Sequence, residues 1–339
     1  MSLLRDFAAL VAGWAVVSAV QAADPAAVPR VLRYSFPVAE TGFDPARVDD
    51  LYSQTVTSHI FDGLYRYDPL ARPFKVTPNV AVAMPEVSDG FRTWTVRIKP
   101  GIYFADDPVF KGAKRELVAQ DYVYSVKRFY DPEVRSPIYQ NVKEEGILGL
   151  EALREEALRL KKPFDYDREV EGVRAIDRYT VQFRLETPRP RFIYLIAQGG
   201  ALGAVAREVI EAYAGSTMEH PVGTGPFRLA QWRRSSLLVL ERNPNFRTVR
   251  YEDEVTPLDD DAEGQALVKR FRGRTLPMVD RVEISIIEVS QPRWLAFLSE
   301  RFDLLAVPLE YASLAAPNGV IAPNLARRGI GLQRVAAAD

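Results

Sequence analysis

The sequence contains a short glycine motif, Gly223-Thr224-Gly225, whose spacing is found in loops that bind nucleotide phosphates. A dinucleotide-binding loop needs a third glycine and a position between a strand and a helix. Arg228 occupies the place of that glycine, and the apolar alternation over 227–232 is typical of a strand. The Gly-Lys-Ser/Thr end of a P-loop is absent as well. We therefore interpret the motif as a turn before a strand, whose glycines adopt backbone angles closed to other residues.

Side chains suited to catalysis are sparse. The sequence has two histidines, His59 and His220, and no cysteine, which excludes disulfides, thiol chemistry and cysteine-based zinc sites. His-Glu-x-x-His, Gly-x-Ser-x-Gly and Ser-x-x-Lys motifs do not occur. We expect His220 to order the turn before the strand at 227. Carboxylates are plentiful, but a sequence does not show which two face each other across a cleft, so a secreted hydrolase stays an alternative.

The acidic run Asp259-Asp260-Asp261 supplies oxygen atoms of the kind that calcium prefers. An EF-hand loop needs a bidentate glutamate at its twelfth position, and Arg270 occupies that position here. We therefore expect a solvated surface loop and no metal site.

Length and composition are those of an ordinary globular protein. The chain has 339 residues, 47% of them hydrophobic and 26% charged, with a formal net charge of −1. This length predicts two domains or one large one, and the charge gives no reason to expect nucleic acid as a partner. Arg5, an apolar stretch over 7–20 and small residues up to Ala22 are typical of an export signal. We expect residues 1–22 to be a signal peptide that is cleaved near Ala22.

Hydrophobic periodicity predicts a hairpin of two strands over 227–232 and 237–242, closed by Asn243-Pro244-Asn245. The second strand has too many adjacent apolar residues to face water on either side. We take this hairpin as the element around which the chain is organised. Further strands are predicted over 31–36, 94–98, 282–286 and 302–307, and helices over 120–129, 150–160, 192–196 and 205–213. A last helix is predicted to be capped by Ser290 and to carry Trp294, Phe297 and Leu298 on one face.

The hairpin resembles a known family. Pro-Val-Gly-Thr-Gly-Pro-Phe-Arg-Leu, with Trp232 and Leu-Glu-Arg-Asn-Pro-Asn-Phe after it, is similar to the signature hairpin of the extracellular solute-binding proteins of family 5, the oligopeptide and dipeptide type. Phe43-Asp44-Pro45, Phe61-Asp62-Gly63-Leu64 and the segments 118–128 and 173–181 resemble further motifs of that family, in the family's order. Val118 departs from the pattern, because a threonine often caps the helix there, and losing a cap costs about 1 kcal/mol.

The resemblance implies an α/β fold (mixed α+β) of the periplasmic-binding-protein type II class, with two lobes around a cleft. It divides the chain into a signal peptide (1–22), a lobe I core (23–62 and 188–276), an inserted domain packed on lobe I (63–187) and the start of a truncated lobe II (277–339). So short a second lobe is not expected to bury a core of its own. Residues beyond Leu309 are then expected to be poorly ordered or to lean on the first lobe.

The resemblance also implies a function, namely capture of peptides or a related small solute outside the cytoplasmic membrane and delivery to the permease of an ABC importer. Such a protein is not an enzyme and needs no cofactor. We expect the protein to be soluble, since the lipid attachment of many relatives requires a cysteine and this sequence has none. We also expect a monomer. By resemblance to the oligopeptide-binding members, the ligand contacts are Asp49, Asp50, Leu51, Tyr139, Leu305, Ala306 and Val307.

Simpler interpretations of these residues stay open. The two aspartates are as consistent with solvated loop acids, and Tyr139 is more consistent with packing than with ligand contact, because aromatic side chains are more often buried in a core than exposed in a site. Whether the ligand is a peptide, a nickel chelate or a sugar stays open too. So does a remnant of such a protein that binds no ligand.

Overall fold

The computed structural model describes residues 29–333, so the predicted signal peptide lies outside the described residues. The strands are β1 (Val31–Phe36), β2 (Tyr65–Tyr67), β3 (Val76–Pro78), β4 (Glu86–Ser88), β5 (Thr93–Arg97), β6 (Val173–Asp177), β7 (Thr180–Arg184), β8 (Phe227–Arg233), β9 (Leu237–Arg242), β10 (Val249–Arg250), β11 (Thr275–Leu276) and β12 (Arg281–Ile286). The helices are α1 (Leu51–Ile60), α2 (Ala119–Tyr130), α3 (Tyr139–Glu144), α4 (Leu150–Leu160), α5 (Phe192–Ile196), α6 (Gly199–Leu202), α7 (Arg207–Ala212), α8 (Ala262–Phe271), α9 (Ser290–Leu298), α10 (Ala312–Ala315) and α11 (Pro323–Ala326). Among residues 29–333, every helix falls short of the length and apolar character that a membrane crossing demands.

The first sheet has the strand order β1-β12-β9-β8 and contains the predicted hairpin. β8 and β9 pair antiparallel, with a register shift between Leu229 and Gln231. β9 also pairs antiparallel with β12, and β12 runs parallel to β1. Leu238 and Leu240 are buried because β9 has a neighbouring strand on each side and its face packs against a core that includes α1. The predicted hairpin is confirmed.

A second sheet, with the order β4-β5-β7-β6, forms the centre of the segment 63–187. Its buried face, which includes Trp94 and Phe183, packs with the apolar face of α2 in one core. The carboxylate of Asp121 accepts a hydrogen bond from the backbone N of Val118 at 2.8 Å. That bond satisfies a backbone donor at the helix start, so α2 forms as predicted although its cap position holds valine.

A buried ion pair joins the turn Phe43-Asp44-Pro45 to α2. Arg128 donates to both carboxylate oxygens of Asp44, at 2.7 Å each, and the two side chains are 3% and 0% exposed. Burial alone would raise the pKa of Asp44, but the charge and hydrogen bonds of Arg128 outweigh it and lower this pKa. The pair therefore fixes the chain before α1 against the longest helix of the segment 63–187.

Residues 248–276 form an excursion between β9 and β12, in which β10 pairs antiparallel with β11 and α8 lies between them. Asp261 is the N-cap of α8, and its Oδ1 accepts from the backbone N of Gly264 at 2.9 Å. A helix therefore follows the acidic run where the sequence predicted a surface loop. Within residues 29–333, no group of three or more His, Asp or Glu side chains is arranged to hold a metal ion.

The predicted strand over 302–307 is wrong. Asp303 donates its backbone N to Arg33 O at 2.9 Å, and its carboxylate accepts from Arg33 N at 2.7 Å. The Asp303 side chain thus occupies the backbone donor of Arg33 that a strand pairing with β1 would use. Pairing along β1 therefore does not continue, and Leu305, Ala306 and Val307 lie in an irregular segment.

The expectation that the chain after residue 277 buries no core is also wrong. α9 and the residues after 309 enclose a small apolar cluster of Trp294, Ala315, Ala322 and Leu325. The indole of Trp294 stacks on the ring of Tyr311 with 5.4 Å between centroids. Large aromatic surfaces allow this short segment to bury an apolar centre away from the first sheet.

Candidate functional site

Three predicted ligand contacts, Asp49, Asp50 and Leu51, lie at the start of α1. Asp50 is the N-cap: its Oδ1 accepts from Ser53 N at 2.8 Å and its Oδ2 accepts from Thr41 Oγ1 at 2.6 Å. Burial of this carboxyl opposes ionisation, but the hydrogen bonds outweigh it and lower the pKa of Asp50. Asp49 is exposed and Leu51 is 69% exposed, so both are accessible to a ligand.

Tyr139 is the first residue of α3, and its side chain contacts residues of the segment 63–187. Its hydroxyl donates to Glu151 Oε2 at 2.6 Å, and the guanidinium of Arg154 lies 4.1 Å from the ring centroid. Burial and the hydrogen bond to the Glu151 carboxylate raise the pKa of Tyr139. These contacts suit a packed side chain, and a ligand would compete with Glu151 for the hydroxyl.

Leu305, Ala306 and Val307 follow the contact between Asp303 and β1. Leu305 is half-buried against the Trp294 cluster, whereas Ala306 and Val307 are exposed. Within residues 29–333, no hydrogen bond or ion pair joins these residues, the α1 start and Tyr139 to one another. The seven residues therefore form three separate groups.

A cleft of about 700 Å³ opens beside α1, where no sequence motif marked a site. The sheet face forms one wall, with Leu32 and Tyr34 of β1. The C-terminal half of α1, including His59, and the segment 276–279 form the other walls. None of the seven predicted residues lines this cleft. The alternation along β1 was the signal that could have indicated an apolar face here.

Four charged side chains, which form two ion pairs, are part of the cleft lining. Asp62 is buried and accepts from Arg247 at 2.7 Å, from Thr224 at 2.8 Å and from Asn79 at 2.9 Å. Burial would raise the pKa of Asp62, but the charge of Arg247 and these hydrogen bonds outweigh it and lower this pKa. Beside them, Arg66 and Glu254 form a second ion pair.

Burial acts against both charges of that second pair. It raises the pKa of Glu254 and lowers the pKa of Arg66, while each partner's charge opposes the shift. The Glu254 pair joins the excursion 248–276 to the strand β2, and the Arg247 pair joins the residue just before the excursion to the chain that follows α1. The charged part of the lining is thus a structural network whose charges compensate one another.

The glycine motif contacts the end of α1 directly. Gly225 N donates to Ile60 O at 2.8 Å, and a Cβ on Gly223 would clash with that same carbonyl oxygen. Neither glycine has a positive φ among the backbone angles of residues 29–333. The predicted reason for these glycines is therefore wrong. Glycine is required here because two backbones approach closely, and not because the residues adopt backbone angles closed to other residues.

The two histidines have different surroundings. His220 Nε2 lies 2.6 Å from Asp107 Oδ2, and its ring stacks on Tyr213 with 3.7 Å between centroids. These contacts confirm that His220 orders the chain before β8. His59 Nδ1 lies 2.7 Å from the carbonyl oxygen of Thr55 and is part of the cleft wall.

Comparison with known proteins shows what the chain is similar to. The family described as bacterial extracellular solute-binding proteins, family 5 Middle, matches residues 75–325. Di/tripeptide-binding protein 2 of Pseudomonas aeruginosa is 27% identical over 250 residues, 72% of this chain and 42% of that protein. The periplasmic oligopeptide-binding protein OppA of Escherichia coli is 28% identical over 206 residues, 60% of this chain and 34% of that protein.

Solved structures give the same picture of the fold. Haemophilus influenzae OppA, in complex with RPPGFSPFR, superposes with a TM-score of 0.65 at 18% identity over 89% of this chain and 49% of that one. The Escherichia coli murein tripeptide-binding protein MppA superposes with a TM-score of 0.64 at 21% identity over 85% and 49%. The chain spans about a third to two fifths of the length of the curated relatives and about half of the solved chains.

Proposed function

Because the chain belongs to family 5 of the bacterial extracellular solute-binding proteins, we propose that it captures peptides, or a related small solute, as the binding component of an ABC importer. The family match over residues 75–325 carries this proposal. The names of the curated relatives support it, since they describe proteins that bind dipeptides, tripeptides and oligopeptides. The chain is exported, acts as a monomer without a cofactor, and hands its ligand to a membrane permease without chemical change.

The ligand contacts at the start of α1 suit this function. Asp49 and Leu51 are exposed beside a helix end that Asp50 holds in place. A fixed backbone with exposed side chains is a pre-organised surface, which lowers the entropy cost of binding. Tyr139 and the exposed residues Ala306 and Val307 complete the proposed set, together with Leu305. Closure of two lobes would bring such separated groups onto one ligand.

Isothermal titration calorimetry with a pool of random tripeptides tests the proposal. We expect saturable binding that Asp49→Ala and Leu51→Ala weaken, whereas Asp260→Ala, an exposed acid of the excursion, leaves it unchanged. Mass spectrometry of the recovered peptides separates capture from hydrolysis. Cleaved peptides would contradict the proposal and favour the secreted hydrolase.

A second candidate is a first-lobe polypeptide that folds but binds no ligand by itself. The observation that favours it is the share of the relatives' length that the chain spans, 42% and 34% for the two relatives above. A folded chain that gives no calorimetric signal with any tripeptide would support this candidate over peptide capture.

A further inference from the structure

The sequence contains one Asn-Gly dipeptide, Asn318-Gly319, in the turn that joins α10 to α11. The proposed peptide capture does not use this turn. Asn318 is exposed and has a positive φ of 53°, in the left-handed region that asparagine tolerates better than most residues. Gly319 has no Cβ that would hinder approach to its backbone N. A side-chain amide and an accessible backbone N are therefore neighbours in the chain.

These two groups can react with each other. Gly319 N forms a bond to the side-chain carbonyl carbon of Asn318, the bond from that carbon to Nδ2 breaks, and ammonia leaves with the proton of Gly319 N. Water then opens the five-membered imide at one of its two carbonyls. Opening at the side-chain carbonyl gives aspartate, and opening at the backbone carbonyl gives isoaspartate, whose backbone runs through Cβ. Both reacting groups belong to the chain and only water enters, so no ligand or partner is involved.

The folded turn holds the reacting groups apart. Gly319 N donates to Ala316 O at 2.9 Å, so its proton is engaged in a hydrogen bond. The ψ of Asn318 is 25°, which places Gly319 N close to the backbone N of Asn318 about the Cα–C bond and away from Cβ. Attack therefore requires that this hydrogen bond breaks and that the Cα–C bond rotates. Local opening of an exposed turn needs far less free energy than global unfolding, so the reaction proceeds slowly in the folded chain.

The same turn closes the small apolar cluster around Trp294. Ala315 and Ala322, on the two sides of the turn, both belong to this cluster, and Ala322 N donates to Ala315 O at 2.9 Å. Isoaspartate inserts one more atom into the backbone between these two residues. Hydrogen bonds tolerate little change in distance and angle, so the lengthened turn does not keep this bond in place.

From these observations we infer that Asn318 is a modification site: opening of the turn 316–320 allows imide formation with Gly319, which converts the asparagine to isoaspartate and aspartate, and the isoaspartate loosens the Trp294 cluster. Asn324 is the matched comparison within the same segment. It is exposed as well, but Leu325 follows it, and that buried side chain hinders approach to the backbone N.

Peptide mapping by mass spectrometry tests the site in the full chain, incubated in mildly alkaline buffer with and without urea. In the folded chain we expect conversion at Asn318 before any at Asn324. Urea should raise the rate at Asn318 at least about threefold, since breaking one hydrogen bond contributes a factor of about two to ten. A synthetic peptide of residues 314–322 corrects for the effect of urea on the chemistry. Equal conversion at the two asparagines, or equal rates at Asn318 in the two buffers, would overturn the inference.

Hydrogen exchange at Ala322 N measures the effect on the cluster. The isoaspartate form, separated by chromatography, is compared with the unmodified chain and with freshly prepared Asn318→Asp, which has the charge of the product on a normal backbone. We expect faster exchange in the isoaspartate form alone. Equal exchange in the isoaspartate form and the unmodified chain, or equally fast exchange in Asn318→Asp, would refute the loosening by the longer backbone. Neither measurement involves a peptide ligand, so the outcome is independent of peptide capture.

Discussion

The buried ion pair between Asp44 and Arg128 should be a main determinant of stability. In Arg128→Met, the Asp44 carboxylate keeps a hydrogen bond from Ala46 N, at 3.1 Å, but loses both bonds to the guanidinium. The charge stays buried, since Asp44 is fully shielded from solvent in the present structure. Removing one partner of such a pair costs about 3–5 kcal/mol, a large part of a total stability of about 5–15 kcal/mol.

The matched control is an ion pair with high exposure. Arg97 and Glu86 are 3.2 Å apart, with side chains that are 66% and 70% exposed. Water and salt screen such a pair, so Arg97→Met should cost no more than about 1 kcal/mol. Urea unfolding followed by tryptophan fluorescence measures both variants against the unmodified chain.

A double variant separates the loss of the pair from the loss of packing. Asp44→Asn keeps an acceptor for the Ala46 backbone but removes the charge, so the combination of Asp44→Asn with Arg128→Met leaves no unpaired charge in the interior. We expect the double variant to be more stable than Arg128→Met alone. The reasoning from burial is refuted if the decrease in unfolding free energy of the double variant equals the sum of the decreases of Asp44→Asn and Arg128→Met. It is also refuted if Arg128→Met and Arg97→Met are equally stable.

Three further predictions concern the α1 region. Gly223→Ala should destabilise the fold by about 1–3 kcal/mol because its Cβ would clash with backbone, whereas Gly215→Ala, with open space around it, should be neutral in a thermal melt. Because the folded pKa of Asp62 is lowered, the stability that its ionised form contributes is complete above the ordinary value of about 3.9 and is lost as the pH falls below it. When the unfolding free energy is measured from neutral pH to pH 3, it should therefore fall less steeply for Asp62→Asn than for the unmodified chain. An equal decrease in the two proteins would contradict this. Asp50→Ala should lower the unfolding free energy by about 1 kcal/mol through loss of the α1 cap, and equal stability of Asp50→Ala and the unmodified chain would refute the capping role. Asp49→Ala should leave the unfolding free energy unchanged. Any loss of peptide affinity in Asp49→Ala would then come from the loss of a ligand contact.

Elements whose signals are local could be predicted from the sequence. β9 and α4 have the bounds that apolar periodicity gave, because Leu238 and Leu240, or Leu150 and Leu153, are brought to one face by the strand or helix repeat itself. The family motifs also allowed the order of the elements to be predicted, because they imply a topology that apolar periodicity does not determine.

Features that depend on distant contacts could not be predicted in this way. The apolar pattern of 302–307 suits a strand, but the side chain of Asp303 occupies the β1 donor that the strand would need. The Gly-Thr-Gly spacing at 223–225 did not indicate that the backbone at the end of α1 lies close to Gly223. The cleft depends on the distance between the sheet, α1 and the segment 276–279, which come from separate parts of the chain.

The parallel pairing of β1 with β12 has a consequence for the order in which the molecule forms. Arg30, just before β1, bonds to Asp280, 250 positions later, and the two strands stay in register from there. A growing polypeptide has to keep its first strand unpaired until nearly three hundred residues have been synthesised. Fragments that stop before β12 would leave β1 without its neighbour and β9 with an open edge, so they should aggregate, whereas fragments that include β12 should not.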